Sequence, residues 1–143
     1  MKSLILAIIF ALLIQPSNAR VGDTLSQCEL RYGHQVPSPG KLKMSGLPKC
    51  YYFLKGCYSI CVFIWDANVE HMTIVKTDHD ALGRVKEMAD EEIEKILKSA
   101  IPGSSWTEIG NCRTRNLRSD DGKFTAFYHD GGLDFGLVYP VQD

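Results

Sequence analysis

The sequence predicts an α+β fold in which two helix–β–β–β units form one antiparallel sheet, with both helices packed on one face. Two segments with helical periodicity each precede a run of short strand patterns. Turn signals between those strands are too short for a crossover, so neighbouring strands must pair antiparallel. The two halves span about residues 22–77 and 89–139 of a single domain, residues 20–143. Helices on one side of such a sheet form a two-layer arrangement.

The first 19 residues have the pattern of a secretory signal peptide. Lys2 supplies the positive charge, residues 4–14 are an apolar run of 11, and Ser17 and Ala19 are the small residues at a cleavage site. A bilayer span needs about 20 apolar residues, so this run is too short to be a transmembrane anchor. No Cys follows the cut as a lipid attachment site. We therefore expect export to the periplasm or beyond, with cleavage near Ala19.

The mature chain of about 124 residues is long enough to bury its own core. Cleavage leaves 15 basic and 17 acidic residues, a charge near −2. A nucleic-acid partner would require a basic excess, which is absent. Hydrophobic residues make up 45% and charged residues 23% of the sequence, as in ordinary globular domains.

The first helix is predicted over residues 24–32. Thr24 and Gln27 have the spacing of a capping box, and Gly33 stands where a helix C-terminus needs positive φ. The apolar stripe of this helix consists of Leu25, Cys28 and Tyr32. Residues 34–48 hold three Pro, two Gly and two Ser, so we expect a long loop that is either functional or a tolerated insertion.

Strands are predicted at residues 50–54, 57–65 and 69–76, with a turn at 66–68 between the last two. The second strand carries apolar residues on both faces, so we expect it to be central and covered on both sides.

The second helix is the clearest element of the chain. Asp90 is its expected cap, Pro102-Gly103 ends it, and acidic residues occupy its first turn. Its apolar stripe consists of Ile93, Ile96, Leu97 and Ala100.

Three further strands are predicted within residues 105–118, 123–129 and 133–139. Asp121-Gly122 is the strongest hairpin signal between them, and the next turn falls at residues 130–132. The core faces of the last two strands consist of Phe124, Ala126 and Tyr128, and of Leu133, Phe135, Leu137 and Tyr139.

Five cysteines follow the signal peptide, and export would place them in an oxidising compartment. An odd number leaves at least one thiol without an intrachain partner. A two-residue turn at Lys55-Gly56 would set Cys50 opposite Cys61, close enough for a disulfide; the alternative is that several cysteines are small buried hydrophobic residues. The pair Cys57 and Cys61 has no matching second pair, so no metal site is predicted. The five are Cys28, Cys50, Cys57, Cys61 and Cys112.

Several short patterns resemble a group of small exported bacterial proteins of uncharacterised function. They are Gly22-Asp23-Thr24, Cys28, Arg31-Tyr32-Gly33, Phe53 with Lys55-Gly56, the helix at 90–97, Trp106, Asp121-Gly122 and Ala126-Phe127-Tyr128. More distantly, a capped helix followed by antiparallel strands is similar to small outer-membrane assembly lipoproteins of the SmpA/OmlA type. A doubled unit is similar to the β-lactamase-inhibitor-protein fold. These resemblances imply a protein that binds other proteins without catalysis, and they assign no site residues.

Catalytic candidates are few. Asp78-His79-Asp80 places carboxylates beside an imidazole, which suits a general base or a metal ligand but equally a solvated connector. Cys28 with His34, His71 or His129 would make a nucleophile pair, although Cys28 lies on an apolar helix stripe.

Two groups of residues are candidates for an interaction surface. Arg113, Arg115 and Arg118 form a basic ridge, with Arg113 and Arg115 on one strand face. Such a ridge suits an acidic partner, or keeps an edge strand soluble. Tyr51 and Tyr52 are of a residue type enriched in binding hot spots.

The leading hypothesis is a non-catalytic exported module that binds another protein or an envelope component through one sheet face or the 34–48 loop. Two alternatives stay open: a small secreted hydrolase using Cys28 or His79, and an inhibitor of an extracellular enzyme. No cofactor is expected.

Overall fold

The computed structural model describes residues 20–38, 49–109 and 114–138. The described strands form one seven-stranded antiparallel sheet in the order β1-β2-β3-β7-β6-β5-β4, and two helices accompany it, which confirms the α+β class. The elements are α1 (Leu25–Tyr32), β1 (Lys49–Lys55), β2 (Tyr58–Trp65), β3 (Asn68–Lys76), α2 (Asp90–Ala100), β4 (Trp106–Glu108), β5 (Arg115–Ser119), β6 (Phe124–His129) and β7 (Gly132–Leu137). The predicted signal peptide, most of the 34–48 loop, Cys112, Arg113 and Tyr139 lie outside the described residues. None of the helices in the described ranges is long and apolar enough to cross a membrane.

Helix α1 begins as its sequence predicts. Thr24 accepts a hydrogen bond from the Gln27 backbone N–H, and the Gln27 side chain accepts one from the Thr24 backbone. Gly33 ends the helix with φ of 91°. The helix is also fixed by a buried ion pair, because Asp23 Oδ2 lies 2.8 Å from Arg31 Nε. Asp23 further accepts a backbone hydrogen bond from Val69 N–H, so the start of the helix is tied to β3.

The β1–β2 hairpin differs from its prediction by one residue. Lys55 pairs with Tyr58, so the loop consists of Gly56 and Cys57 rather than Lys55 and Gly56. Gly56 occupies the first loop position with a positive φ of 58°, as in a type II′ turn. Lysine is disfavoured at that position because a residue with a side chain rarely adopts a positive φ. This register pairs Cys61 with Tyr52 and sets Cys50 opposite Phe63. The predicted opposition of Cys50 and Cys61 is therefore wrong, and none of the four described cysteines forms a disulfide.

Strand β2 lies second from the sheet edge, between β1 and β3. Asp66 and Ala67, both with positive φ, form the two-residue turn into β3. The pairing of β2 with β3 shifts at Phe63 and Ile64, which makes Glu70 the extra residue of a bulge.

The N-cap of helix α2 lies one residue earlier than predicted. Ala89 is the N-cap and Asp90 is the first helical residue. The Glu92 carboxylate accepts a hydrogen bond from Ala89 N–H, which is the backbone half of a capping box. The predicted apolar stripe is confirmed, with Ile93, Leu97 and Ala100 buried and Ile96 packed beside them.

The second half of the chain contains four strands where three were predicted. The segment at 105–118 divides into the short edge strand β4 and strand β5. The Asp121-Gly122 turn is confirmed between β5 and β6, with φ of 72° at Gly122. Strand β7 inserts between β6 and β3, so the two halves of the chain join by antiparallel pairing of β3 with β7.

Both helices pack on one face of the sheet. Tyr32 of α1 contacts the ring of Phe53, while Glu92 of α2 accepts a hydrogen bond from Tyr58 and pairs with Lys76. The strand residues in the core all belong to this helix-covered face: Phe53, Ile60, Val62, Val69, Met72, Ile74, Leu117, Ala126, Leu133 and Phe135. The alternate residues of each strand point the opposite way. No described helix or strand covers that second face, although Cys61 of β2 is buried on it and residues 39–48 lie outside the described ranges, so the expectation that β2 is covered on both sides stays a prediction.

Candidate functional site

The candidate site is the sheet face opposite the helices, which we call the open face. Its residues are the alternate positions of five neighbouring strands, and they include four aromatic rings and two imidazole rings. The open face comprises Cys50, Tyr52 and Leu54 of β1; Ser59, Cys61, Phe63 and Trp65 of β2; His71, Thr73 and Val75 of β3; Gly132, Asp134 and Gly136 of β7; and Thr125, Phe127 and His129 of β6.

One row of directly opposed residues crosses the open face. Tyr52 opposes Cys61, Cys61 opposes Thr73, Thr73 opposes Asp134, and Asp134 opposes Phe127. Directly opposed side chains in an antiparallel sheet are in contact distance. The row therefore places the Asp134 carboxylate between the Phe127 ring and the Thr73 hydroxyl, with the Cys61 thiol and then the Tyr52 ring beyond Thr73.

Asp134 is the centre of a polar cluster. Thr73 Oγ1 donates a hydrogen bond to Asp134 Oδ1, and His129 Nε2 lies 3.1 Å from Oδ2. His71 Nε2 approaches Oδ1 from the other side at 3.9 Å. The Asp134 side chain is 27% exposed and the two imidazoles are 43% and 42% exposed, so a ligand can reach all three groups.

Each imidazole of this cluster has an aromatic neighbour. The rings of Phe63 and His71 meet edge to face at 5.4 Å, and the rings of Phe127 and His129 lie 5.1 Å apart. Phe127 is itself 38% exposed. Burial lowers the pKa of His71, and the nearby Asp134 carboxylate opposes that shift without cancelling it. His71 is therefore neutral at pH 7, and the charge at the centre of the face is that of the carboxylate.

Gly136 makes room for His71. A Cβ at Gly136 would lie 2.6 Å from His71 Nδ1 and 2.7 Å from the Glu70 carbonyl oxygen, both far inside van der Waals contact. The imidazole therefore lies against the bare backbone of β7, and this position is what directs Nε2 towards Asp134.

Three polar groups adjoin the cluster on the β1–β2 side. The Tyr52 hydroxyl and the Cys61 thiol interact, and the Cys50 and Cys61 thiols are in contact as diagonal neighbours. Burial raises the pKa of Cys61 to about 11 and raises that of Cys50. Both cysteines are therefore thiols at neutral pH and poor nucleophiles.

The predicted interaction residues do not form one surface. Arg115 lies on the helix-covered face, where it forms ion pairs with Asp90 and Glu108. Arg118 lies on the opposite face and its guanidinium points towards Gly122. Arg115 and Arg118 therefore do not share a surface, and Arg113, predicted to share a face with Arg115, lies outside the described residues. Strand β5 is also not the edge strand, since β4 lies outside it.

The two candidate tyrosines point in opposite directions. Tyr51 packs against the core, and Tyr52 lies on the open face. Of this pair, only Tyr52 belongs to the candidate site.

The catalytic candidates lie elsewhere. Cys28 is 1% exposed in the core, and burial raises its pKa to about 11. His79 is exposed in a connector where Asp80 instead accepts hydrogen bonds from Leu82 N–H and Arg84. This arrangement matches the solvated-connector interpretation. Within the described ranges, no three His, Cys, Asp or Glu residues are arranged to hold a metal ion.

Sequence reasoning missed the Asp134 cluster. The sequence of β7 did indicate that Gly132, Asp134 and Gly136 alternate with the core residues and therefore face away from the core. His71 and His129 occupy the equivalent alternate positions of β3 and β6. The local sequence pattern did not show that β3, β7 and β6 are neighbours in the sheet.

Comparison with known proteins identifies no relative of this chain. No protein-family model, no curated protein and no solved structure matches this chain. The resemblances drawn from short patterns therefore stay predictions, and a functional interpretation rests on the geometry of the open face.

Proposed function

We propose that this protein is exported after cleavage near Ala19 and that its mature domain is a non-catalytic module that binds another protein through the open face. The single observation that carries the proposal is that both described helices pack on one side of the sheet. The other side is left bearing exposed aromatic and imidazole rings.

The residue types of the open face support a polypeptide partner. Aromatic side chains supply large contact area at low entropic cost and dominate binding hot spots. Phe127 and Trp65 are 38% and 49% exposed, and Leu54 is also exposed. These apolar groups surround the polar cluster at Asp134, which matches an interface that combines buried contact area with a few fixed polar contacts.

We also infer that the domain consists of two related units, each a helix followed by antiparallel strands, that meet at β3 and β7. The order α1-β1-β2-β3 followed by α2-β4-β5-β6-β7 supports this interpretation, with one strand more in the second unit. In this arrangement the proposed binding surface spans both units, and Asp134 lies at their junction.

The proposal is tested by photo-crosslinking from defined positions. The photoreactive residue p-benzoylphenylalanine replaces Phe127 on the open face or, as a control, Leu30, which is 87% exposed on α1. The full chain is expressed in its native cells and irradiated. We expect one polypeptide to be captured from position 127 and not from position 30. The captured protein is then purified and titrated against the mature domain, where binding must saturate and weaken at least tenfold in Phe63→Ser.

Three results would contradict the proposal. They are equal capture from both positions, a captured protein that shows no saturable binding when purified, and binding that is unchanged in Phe63→Ser. Export is checked separately, by N-terminal sequencing of the protein recovered outside the cytoplasm, and a retained Met1 would exclude cleavage near Ala19.

A further inference from the structure

The charge of the open face is set by a small group of titratable side chains around Asp134. His129 lies between two carboxylates, with Nε2 3.1 Å from Asp134 and Nδ1 3.9 Å from Asp130. His71 approaches Asp134 from the opposite side. With both imidazoles neutral, these four groups carry a charge of −2, and with both protonated the charge is zero.

Within residues 20–38, 49–109 and 114–138, no lysine or arginine forms an ion pair with Asp130 or Asp134. On the β2 side the facing groups are the Cys61 thiol, which is protonated at neutral pH, and the Phe63 ring. On the β5 side, Arg118 lies on the same face with its guanidinium beside Gly122, at the end of β6 remote from His129, and Arg113 lies outside the described residues. Among the described residues, the recorded side-chain partners of Asp134 are Thr73, His71 and His129.

An anionic group set among aromatic rings is suited to one kind of ligand group. A carboxylate binds a guanidinium or an ammonium through charge-assisted hydrogen bonds. Aromatic faces attract the same cations through their ring quadrupoles. Phe127 is directly opposite Asp134, so its ring can contact a cation bound to the carboxylate. Thr73 holds the carboxylate in place, so little ordering is required when a cation binds.

We propose that the centre of the open face receives a lysine or arginine side chain of the partner polypeptide, and that protonation of His71, whose Nε2 lies 3.9 Å from Asp134 Oδ1, releases it. A protonated imidazole pairs with Asp134 internally, so it competes directly with the incoming cation. The inference rests on the proposed function, because it names the chemistry of the partner and the control of the same surface.

The test uses N-acetyl-arginine N-methylamide as the probe and the corresponding citrulline compound, its neutral analogue, as the control. Backbone amide shifts of the ¹⁵N-labelled mature domain are followed during titration at pH 7.5 and pH 5.5. At pH 7.5 we expect saturable shifts centred on Asp134 and Phe127, with the citrulline compound at least fivefold weaker. At pH 5.5 the affinity for the arginine compound falls, because part of His71 is then protonated.

Two variants locate the site. Asp134→Asn removes the carboxylate charge and should abolish the difference between the arginine and citrulline compounds. Asp121→Asn removes an exposed carboxylate in the β5–β6 turn and should leave that difference unchanged. The amide spectrum of each variant is recorded without ligand, so that a loss of fold is recognised. If Asp134→Asn does not fold, Thr73→Val, which removes the hydroxyl that orients the carboxylate, must weaken arginine binding instead.

Four results would overturn the proposal: equal shifts with the citrulline compound, unchanged selectivity in a folded Asp134→Asn, equal affinity at both pH values, or a dimer in sedimentation velocity that Phe127→Ser disrupts, which would place a second copy of this chain on the face. If the arginine compound does not bind but crosslinking still captures a partner, only the cation site is refuted. Binding of arginine without any captured partner refutes the proposed function instead.

Discussion

Replacing Gly136 with alanine tests the packing that places His71 beside Asp134. The added Cβ would lie 2.6 Å from His71 Nδ1, 2.7 Å from the Glu70 carbonyl oxygen and 3.0 Å from His71 Cα. Two of these atoms belong to the backbone, so a side-chain rotation alone cannot relieve the clash. Strand β3 must move away from β7, or the pair must lose local hydrogen bonds.

The size of the effect follows from two opposing contributions. Forcing an extra methyl group into a packed site costs about 1–3 kcal/mol. Removing a glycine lowers the entropy of the unfolded chain and returns about 0.4–1 kcal/mol. We therefore expect Gly136→Ala to lower the free energy of unfolding by roughly 1–2 kcal/mol, which at a urea m-value near 1.5 kcal/mol/M lowers the urea midpoint by about 1 M.

Gly132 supplies the matched control in the same strand. A Cβ there would meet the His129 carbonyl oxygen at 3.4 Å and Val75 Cγ2 at 3.6 Å, which are ordinary contacts. Gly132→Ala should therefore leave the urea midpoint unchanged or raise it slightly. Equal midpoints for the two variants would refute the argument that His71 needs a bare backbone at Gly136.

Three further predictions follow from buried or titrating groups. Asp23→Ala removes the carboxylate that pairs with the partly buried Arg31, so urea titration should show a loss of about 1–3 kcal/mol, and replacing both residues with apolar ones should recover part of it. Burial lowers the pKa of His71 in the folded state, so the stability associated with neutral His71 is fully present above the unfolded pKa of about 6.5 and is lost as the pH falls. His71→Gln should therefore flatten the dependence of the free energy of unfolding on pH between 7 and 5. An unchanged dependence in this variant would contradict the argument. Iodoacetamide at pH 8 should label the exposed Cys50 of the folded protein slowly, because its pKa is raised, but should label Cys28 only after unfolding; peptide mass mapping would show this, and early labelling of Cys28 would reopen its role as a nucleophile.

The elements that the sequence predicts well are those specified by local chemistry. The capping box at Thr24 and Gln27 forms as expected, and Asp121-Gly122 makes its hairpin turn. The alternation of Phe124, Ala126 and Tyr128 sets the core face of β6. In each case the residues that decide the structure lie within a few positions of one another.

The β1–β2 hairpin shows where local reasoning fails. Lys55-Gly56 and Gly56-Cys57 are both plausible two-residue loops by composition, and only the φ that Gly56 must adopt separates them. A shift of one position changes every opposed pair, which is why Cys50 opposes Phe63 instead of Cys61.

The candidate site was beyond local reasoning for a different reason. Asp134 and Thr73 are 61 residues apart, and they meet only because β7 inserts next to β3. No residue within β3 or β7 encodes that neighbour relationship. Alternation indicated which positions of β7 avoid the core, but not which side chains would lie beside them.

The β3–β7 pairing also has a consequence for how the chain acquires its structure. The hairpins within each half close loops of a few residues, whereas joining β3 to β7 closes one of about 60 residues. Loop-closure entropy grows with length, so local hairpins form before long-range pairings. Until the halves dock, β3 and β7 each present an unpaired edge to other chains. The last step of folding is therefore the one at which the protein is most exposed to aggregation, and the imidazole–carboxylate contacts at Asp134 would report its completion.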